Sequence, residues 1–157
     1  NLATNRINIQ GAIPQLTKAL EDYDPVLRNA SAIAFANAAY FGQDISPAIP
    51  ILTKRLEDEN LAVRSSAALT LFLMKDKLQD TSKAISVLTQ SLEGNDPNIR
   101  LSLITSFTKA AEDEKDISAF VGVLTKIAND ENEHPDVREN ATKALRLHEK
   151  NINKQSQ

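Results

Sequence analysis

A Leu-Thr pair recurs at a fixed interval of 36 residues, at Leu16-Thr17, Leu52-Thr53, Leu88-Thr89 and Leu124-Thr125. Nothing else in the chain constrains its folding as tightly. A strict period of this length means that one supersecondary unit is repeated, each copy burying its apolar face only by stacking on its neighbours. In register with the period, the chain divides into copies at 12–46, 48–82, 84–118 and 119–150, with a polar tail at 151–157. Shifting residues 1–11 by one period lays them over 37–47, so the start reads as the end of a preceding copy and the chain as a piece of a longer array. One domain built from these copies is expected overall.

Each copy reads as two helices. In the first, Ile13, Leu16 and Leu20 stand at i, i+3 and i+7, the spacing of one buried stripe, and the stripe returns as Ile49, Leu52 and Leu56, then Ile85, Leu88 and Leu92, then Val121, Leu124 and Ala128. Ser46, Ser82 and Ser118 mark the starts of these helices, and Pro47 follows Ser46 at a position where a missing N–H is harmless. A second marker opens the second helix: Asp24-Pro25-Val26-Leu27-Arg28, Asn60-Leu61-Ala62-Val63-Arg64, Asp96-Pro97-Asn98-Ile99-Arg100 and His134-Pro135-Asp136-Val137-Arg138. The last arrives two residues late, which puts a small insertion in the turn at 130–133. On the second helices, the positions one before and three and seven after the arginine form the expected buried stripe, Leu27, Ser31 and Phe35 in the first copy and Val63, Ala67 and Leu71 in the second.

These markers, the prolines Pro14 and Pro50 early in the first helices and the Ala-rich second helices resemble the HEAT repeat. The short form is similar to the HEAT-like repeats of phycobilin lyases and of bacterial scaffold proteins. The resemblance covers residues 9 to 148 and implies an all-α fold, an α-solenoid of about four stacked antiparallel helix pairs. Copy two lacks the proline of the second marker, and copy three has Gly94 where copies one and two carry Asp22 and Asp58. A cation in the first turn of a helix opposes the helix dipole and calls for a fixed carboxylate partner. The resemblance implies that Asp22, Arg28, Asp58, Arg64, Arg100 and Arg138 form a structural ladder between successive copies.

The net charge of −3 and the absence of a basic stripe argue against nucleic acid as the partner. Without cysteine there is no disulfide framework, thiolate nucleophile or thiolate metal site, and a cytoplasmic location is expected. No apolar run reaches membrane-spanning length. His134 and His148 are not paired at i, i+4, so the two-histidine metal helix is missing. HEAT-like deoxyhypusine hydroxylases carry several His-Glu dipeptides as iron ligands, and here there is one, His148-Glu149; HEAT-like DNA glycosylases depend on tryptophan, and the chain has none. No catalytic residue, metal or cofactor is expected.

The informative positions lie out of phase with the period. In HEAT proteins the second helices line the concave face. Their outward positions are Asn29, Ile33, Asn37 and Tyr40 in copy one, Ser65, Leu69, Leu73 and Asp76 in copy two, and Leu101, Thr105, Lys109 and Glu112 in copy three. Ile33, Leu69, Leu73, Leu101 and Tyr40 place apolar surface where a purely structural copy has polar residues, the mark of an interface. The matching positions of copy four are mostly charged, Glu139, Lys143 and Lys150 with Leu147, as in a terminal cap. The expected function is a non-catalytic scaffold that binds a protein segment through Asn29, Ile33, Asn37, Tyr40, Ser65, Leu69, Leu73, Leu101 and Thr105. The alternative is a lyase-like or chaperone-like module holding a chromophore or client, with Tyr40 and Asp76 as its acids.

Overall fold

The computed structural model of the chain describes residues 8–156. The first seven residues, read above as part of a preceding copy, lie outside the described residues. Eight α-helices follow in order: α1 (Ile13–Ala19), α2 (Pro25–Tyr40), α3 (Ile49–Arg55), α4 (Leu61–Leu73), α5 (Ser82–Glu93), α6 (Pro97–Glu112), α7 (Val121–Asn129) and α8 (Pro135–Gln155). No strand occurs among the described residues. The fold is an all-α solenoid, a shorter first helix alternating with a longer second one. It forms two compact units that meet in sequence between Leu88 and Thr89.

The second helices start as their markers dictate. Asp24 accepts the Val26 N–H at 2.8 Å, Asn60 those of Ala62 and Val63, Asp96 those of Asn98 and Ile99, and His134 Nδ1 that of Asp136. These caps satisfy donors that the first turn leaves without intrahelical partners. The first helices start differently from the sequence expectation. Ser46 and Ser118 open short 3-10 turns ahead of α3 and α7 instead of capping them, and the capping acceptor is the aspartate two residues earlier. Asp44, Asp80 and Asp116, again 36 apart, accept the N–H of Ser46, Ser82 and Ser118 at 2.8–3.0 Å. The Ser46 hydroxyl and N–H hold the Asp44 carboxyl below its ordinary range.

In the first unit, α1 packs on α2, α3 on α4, and α2 beside α4. Leu20, Ile45, Leu52, Phe35 and Val63 are fully buried there. Small residues bring the second helices close: Ala32, Ala36 and Ala39 on α2 and Ala67 and Ala68 on α4 are all buried. The stripe has one departure. Leu27 is half exposed, because no described element covers the outer side of the first turn of α2, whereas the equivalent Val63, on a helix packed against α2, is fully buried. In the second unit α6 and α7 pack on α8 around Ile104, Phe107, Ile117, Phe120 and Leu124. The rings of Phe107 and Phe120 stack with centroids 4.3 Å apart. The periodic leucines Leu52, Leu88 and Leu124 are buried, while the hydroxyls of Thr53 and Thr125 bond carbonyls one turn back in their own helices.

Two helix ends use the left-handed backbone region. Gly42 after α2 has φ 73° and Glu114, two periods later after α6, has φ 57°. Both are closed by a backbone bond from the next residue to a carbonyl five residues back, Gln43 to Ala38 and Lys115 to Ala110. Only glycine adopts this conformation without steric cost. Gly42→Ala is therefore expected to lower unfolding stability by about 1 kcal/mol, and Glu114→Gly to raise it by a similar or smaller amount. Chemical denaturation followed by far-UV circular dichroism reads both signs.

Candidate functional site: the arginine rungs and the outer faces of the second helices

The most heavily bonded group in the first unit is the Asp58 carboxylate, in the turn between α3 and α4. Its Oδ2 accepts Arg28 Nε at 2.9 Å and Arg55 Nη1 at 2.9 Å, and its Oδ1 accepts Arg28 Nη2 at 2.8 Å and the Asn60 N–H at 3.0 Å. Four donors fill its acceptor positions. Arg28, on the first turn of α2, is itself buried, and its Nη1 donates to the carbonyls of Asp22 and Tyr23 in the turn before its own helix. One guanidinium thus joins its own turn to the turn of the next copy. Burial alone pushes the Asp58 carboxyl up; the bonds from Arg28, the Asn60 N–H and Arg55, with the Arg28 charge, outweigh it and hold the group at about 2. The bond to Asp58 raises Arg28 in turn.

The other sequence-named rungs divide between two kinds of partner. Arg64 grips its own turn, donating Nη1 to the carbonyls of Asp58 and Glu59. In the second unit Arg100 pairs through Nη1 with Glu133, whose side chain is buried, so the bidentate contact of the first unit becomes a single one. Arg138 makes a long contact from Nε to the Ala128 carbonyl at 3.4 Å. Among the described residues the Asp22 carboxylate takes no arginine; its Oδ1 accepts the Asp24 N–H. Sequence reasoning did not single out Glu133, because it lies 33 residues after Arg100 and directly before the cap His134, whereas Asp58 lies 30 after Arg28 and two before the cap Asn60.

The residues named for partner binding are not equally available. Ile33 is 45% exposed, Asn37 and Thr105 are exposed, and Tyr40, Leu69, Leu73 and Leu101 are half-buried. Tyr40 sets its ring edge-on to Phe41 at 5.3 Å. Asn29 is half-buried and accepts the Ser66 hydroxyl at 2.7 Å, a link between α2 and α4. Ser65 does not face outward: it is 3% exposed and its hydroxyl bonds the Leu61 carbonyl, because the position lies on the packed side of α4. Asp76 lies in the exposed turn Lys75–Lys77. The chain also exposes Tyr23, Val26 and Leu27 at the start of α2, a cluster visible in the sequence as three apolar residues around a capping aspartate.

Among the described residues no three His, Cys, Asp or Glu stand together as a metal site, and no helix is long and apolar enough to cross a membrane. The sequence profile described as HEAT repeats matches residues 13–108, and the chain belongs to this family. A designed armadillo repeat protein, YIII(Dq)4CqI, is similar in structure, with a TM-score of 0.59 and 20% identity over 88% of this chain. The chain spans 65% of that protein's length. No curated protein matches.

Losing one partner of a fully bonded, buried ion pair leaves an uncompensated charge, so Asp58→Ala is expected to cost about 3 kcal/mol of unfolding stability. The acid dependence follows from the depressed carboxyl. Its contribution of about 2 kcal/mol is present in full above the unfolded value of 3.8 and fades as pH falls towards 2. Urea titrations from pH 6 to pH 2 should show the wild-type advantage over Asp58→Asn shrinking below pH 4; an advantage constant with pH would remove Asp58 as its source.

Proposed function

We propose that the chain is a non-catalytic interaction scaffold that takes a protein segment along the outward surface of its second helices. The observation carrying this reading is Ile33, a large aliphatic residue 45% exposed in the middle of α2, where Phe35 and the neighbouring Ala32 and Ala36 are buried. Asn37 follows one turn later, and Leu69 and Leu73 hold the matching register on α4, which packs beside α2. An aliphatic strip edged by an amide is the chemistry that receives the apolar side chains and backbone polar groups of a bound segment. In the second unit, Leu101 and Thr105 on α6 carry the same register. HEAT and armadillo-like repeats build protein-interaction scaffolds, which agrees with this reading without naming a binding mode.

Ile33→Asp combined with Leu69→Asp tests it. Both side chains reach solvent, so the melting transition and helicity should stay near those of the wild type, while affinity-purified partners should be lost. Retention of every captured partner by a folded double variant would sink the proposal.

A further inference from the structure

In the two best-formed rungs, the arginine in the first turn of a second helix receives a carboxylate from a later turn: Arg28 from Asp58, and Arg100 from Glu133. Arg138 holds the same place on α8, and among the described residues no carboxylate reaches it. Among the described residues its guanidinium makes one hydrogen bond, at 3.4 Å to the Ala128 carbonyl. In place of a partner there is an open concavity of about 560 Å³, floored by Ala128 and Pro135 and walled by Arg138, Thr142 and Arg146. Arg146 is exposed and, among the described residues, has no ion pair or hydrogen bond. It also borders a second hollow further along α8.

The composition of this face separates a receptor from a stacking surface. On α6 the positions four, eight and eleven after the arginine are Ile104, Thr108 and Ala111, all buried. α8 lies over them, taking the Thr108 hydroxyl on the Asn140 carbonyl and giving Asn151 Nδ2 to the Ala111 carbonyl. On α8 the same positions are Thr142, Arg146 and Glu149, half-buried or exposed. An arginine and a glutamate there would have to be desolvated under another helix pair, at a cost that small apolar residues do not carry. The charged residues lining the hollow are Arg138, Lys143 and Arg146 against Glu139. Lys143 and Lys154 are already paired with Glu112 and Glu114, which leaves Lys150 and the guanidiniums of Arg138 and Arg146, these two eight residues or about 12 Å apart along the helix.

We infer that this concavity is a docking site for an acidic protein segment, whose Asp or Glu side chains take Arg138 in the way Glu133 takes Arg100 and engage Arg146 as a second anchor. It is separate from the aliphatic strip of α2 and α4 and does not depend on it. A protein carboxylate is favoured over a nucleic acid because no aromatic side chain lines either hollow to stack a base.

The probe is a fluorescein-labelled synthetic peptide copying residues 128–136, the acidic turn that carries Glu133. Fluorescence anisotropy against the full chain should show saturable binding at low ionic strength, weakened about tenfold by Arg138→Gln and by Glu133→Gln in the peptide, and severalfold by about 0.3 M salt. Arg146→Gln, an exposed change that leaves the fold intact, should weaken it as well and keeps the test decisive if Arg138→Gln lowers stability. Absence of saturable binding, or binding indifferent to both arginines, overturns the inference. So does tighter binding of an oligothymidylate of matched charge. Concentration-dependent self-association of the chain that Asp22→Asn abolishes would assign the face to a second copy and overturn it equally.

Discussion

The Arg28–Asp58 contact is the interaction on which the first unit's arrangement of turns depends. A buried carboxylate is tolerated only when its acceptor positions are filled, and here filling them takes donors from three places: Arg28 on α2, Arg55 on α3 and the N–H of Asn60 at the start of α4. Those donors lie on opposite sides of the gap between one copy and the next. The planar fork of arginine adds direction, since two parallel bonds to one carboxylate define an orientation as well as a distance. The same guanidinium holds the carbonyls before α2, so the turn cannot shift without breaking bonds on both sides. In the second unit Arg100 and Glu133 reach a comparable result across a longer turn.

Around that contact the packing is made of small residues. Alanines on facing sides of α2 and α4 let the helices approach, and the backbone then becomes a partner: the Thr70 hydroxyl reaches the Ala32 carbonyl on the neighbouring helix at 3.1 Å. Close approach of this kind uses up one side of each second helix and leaves the opposite side free of structural duty. Ile33 and Asn37 lie on that free side, while the contact between α2 and α4 is made by the small buried residues Ala32, Ala36, Ala67, Ala68 and Thr70. Ser65 and Asn29 show the limit, since their polar groups serve links within or between helices.

The last helix pair turns the same architecture to another use. α8 keeps the inward residues Val137, Ala141 and Ala144 that pack on its neighbours. Its outward side replaces the buried Ile104, Thr108 and Ala111 of α6 with Thr142, Arg146 and Glu149. The arginine of the rung persists there with no carboxylate among the described residues to meet it. A structural device left open in this way presents the very chemistry that its closed copies satisfy.

Much was legible in the sequence because it is local. The 36-residue period, the helical stripes, the capping residues Asp24, Asn60, Asp96 and His134, and membership of a solenoid class all depend on residues within a turn or two of one another, where spacing and side-chain type decide the outcome. The sequence also singled out the arginines as needing carboxylates. It named Asp58 as a rung without saying which arginine it meets, and it did not name Glu133; these acids lie 30 and 33 residues from Arg28 and Arg100, and only stacking brings them together. Nor did it show that Asp44, instead of Ser46, supplies the acceptor ahead of α3, that Ser65 is buried, or that Leu27 is exposed while Val63 is covered. Helix type and start are thus properties of the chain itself, written in short-range hydrogen bonding and periodicity. Burial and ion pairing are properties of whichever neighbour lies across the interface, and the tertiary structure alone decides that.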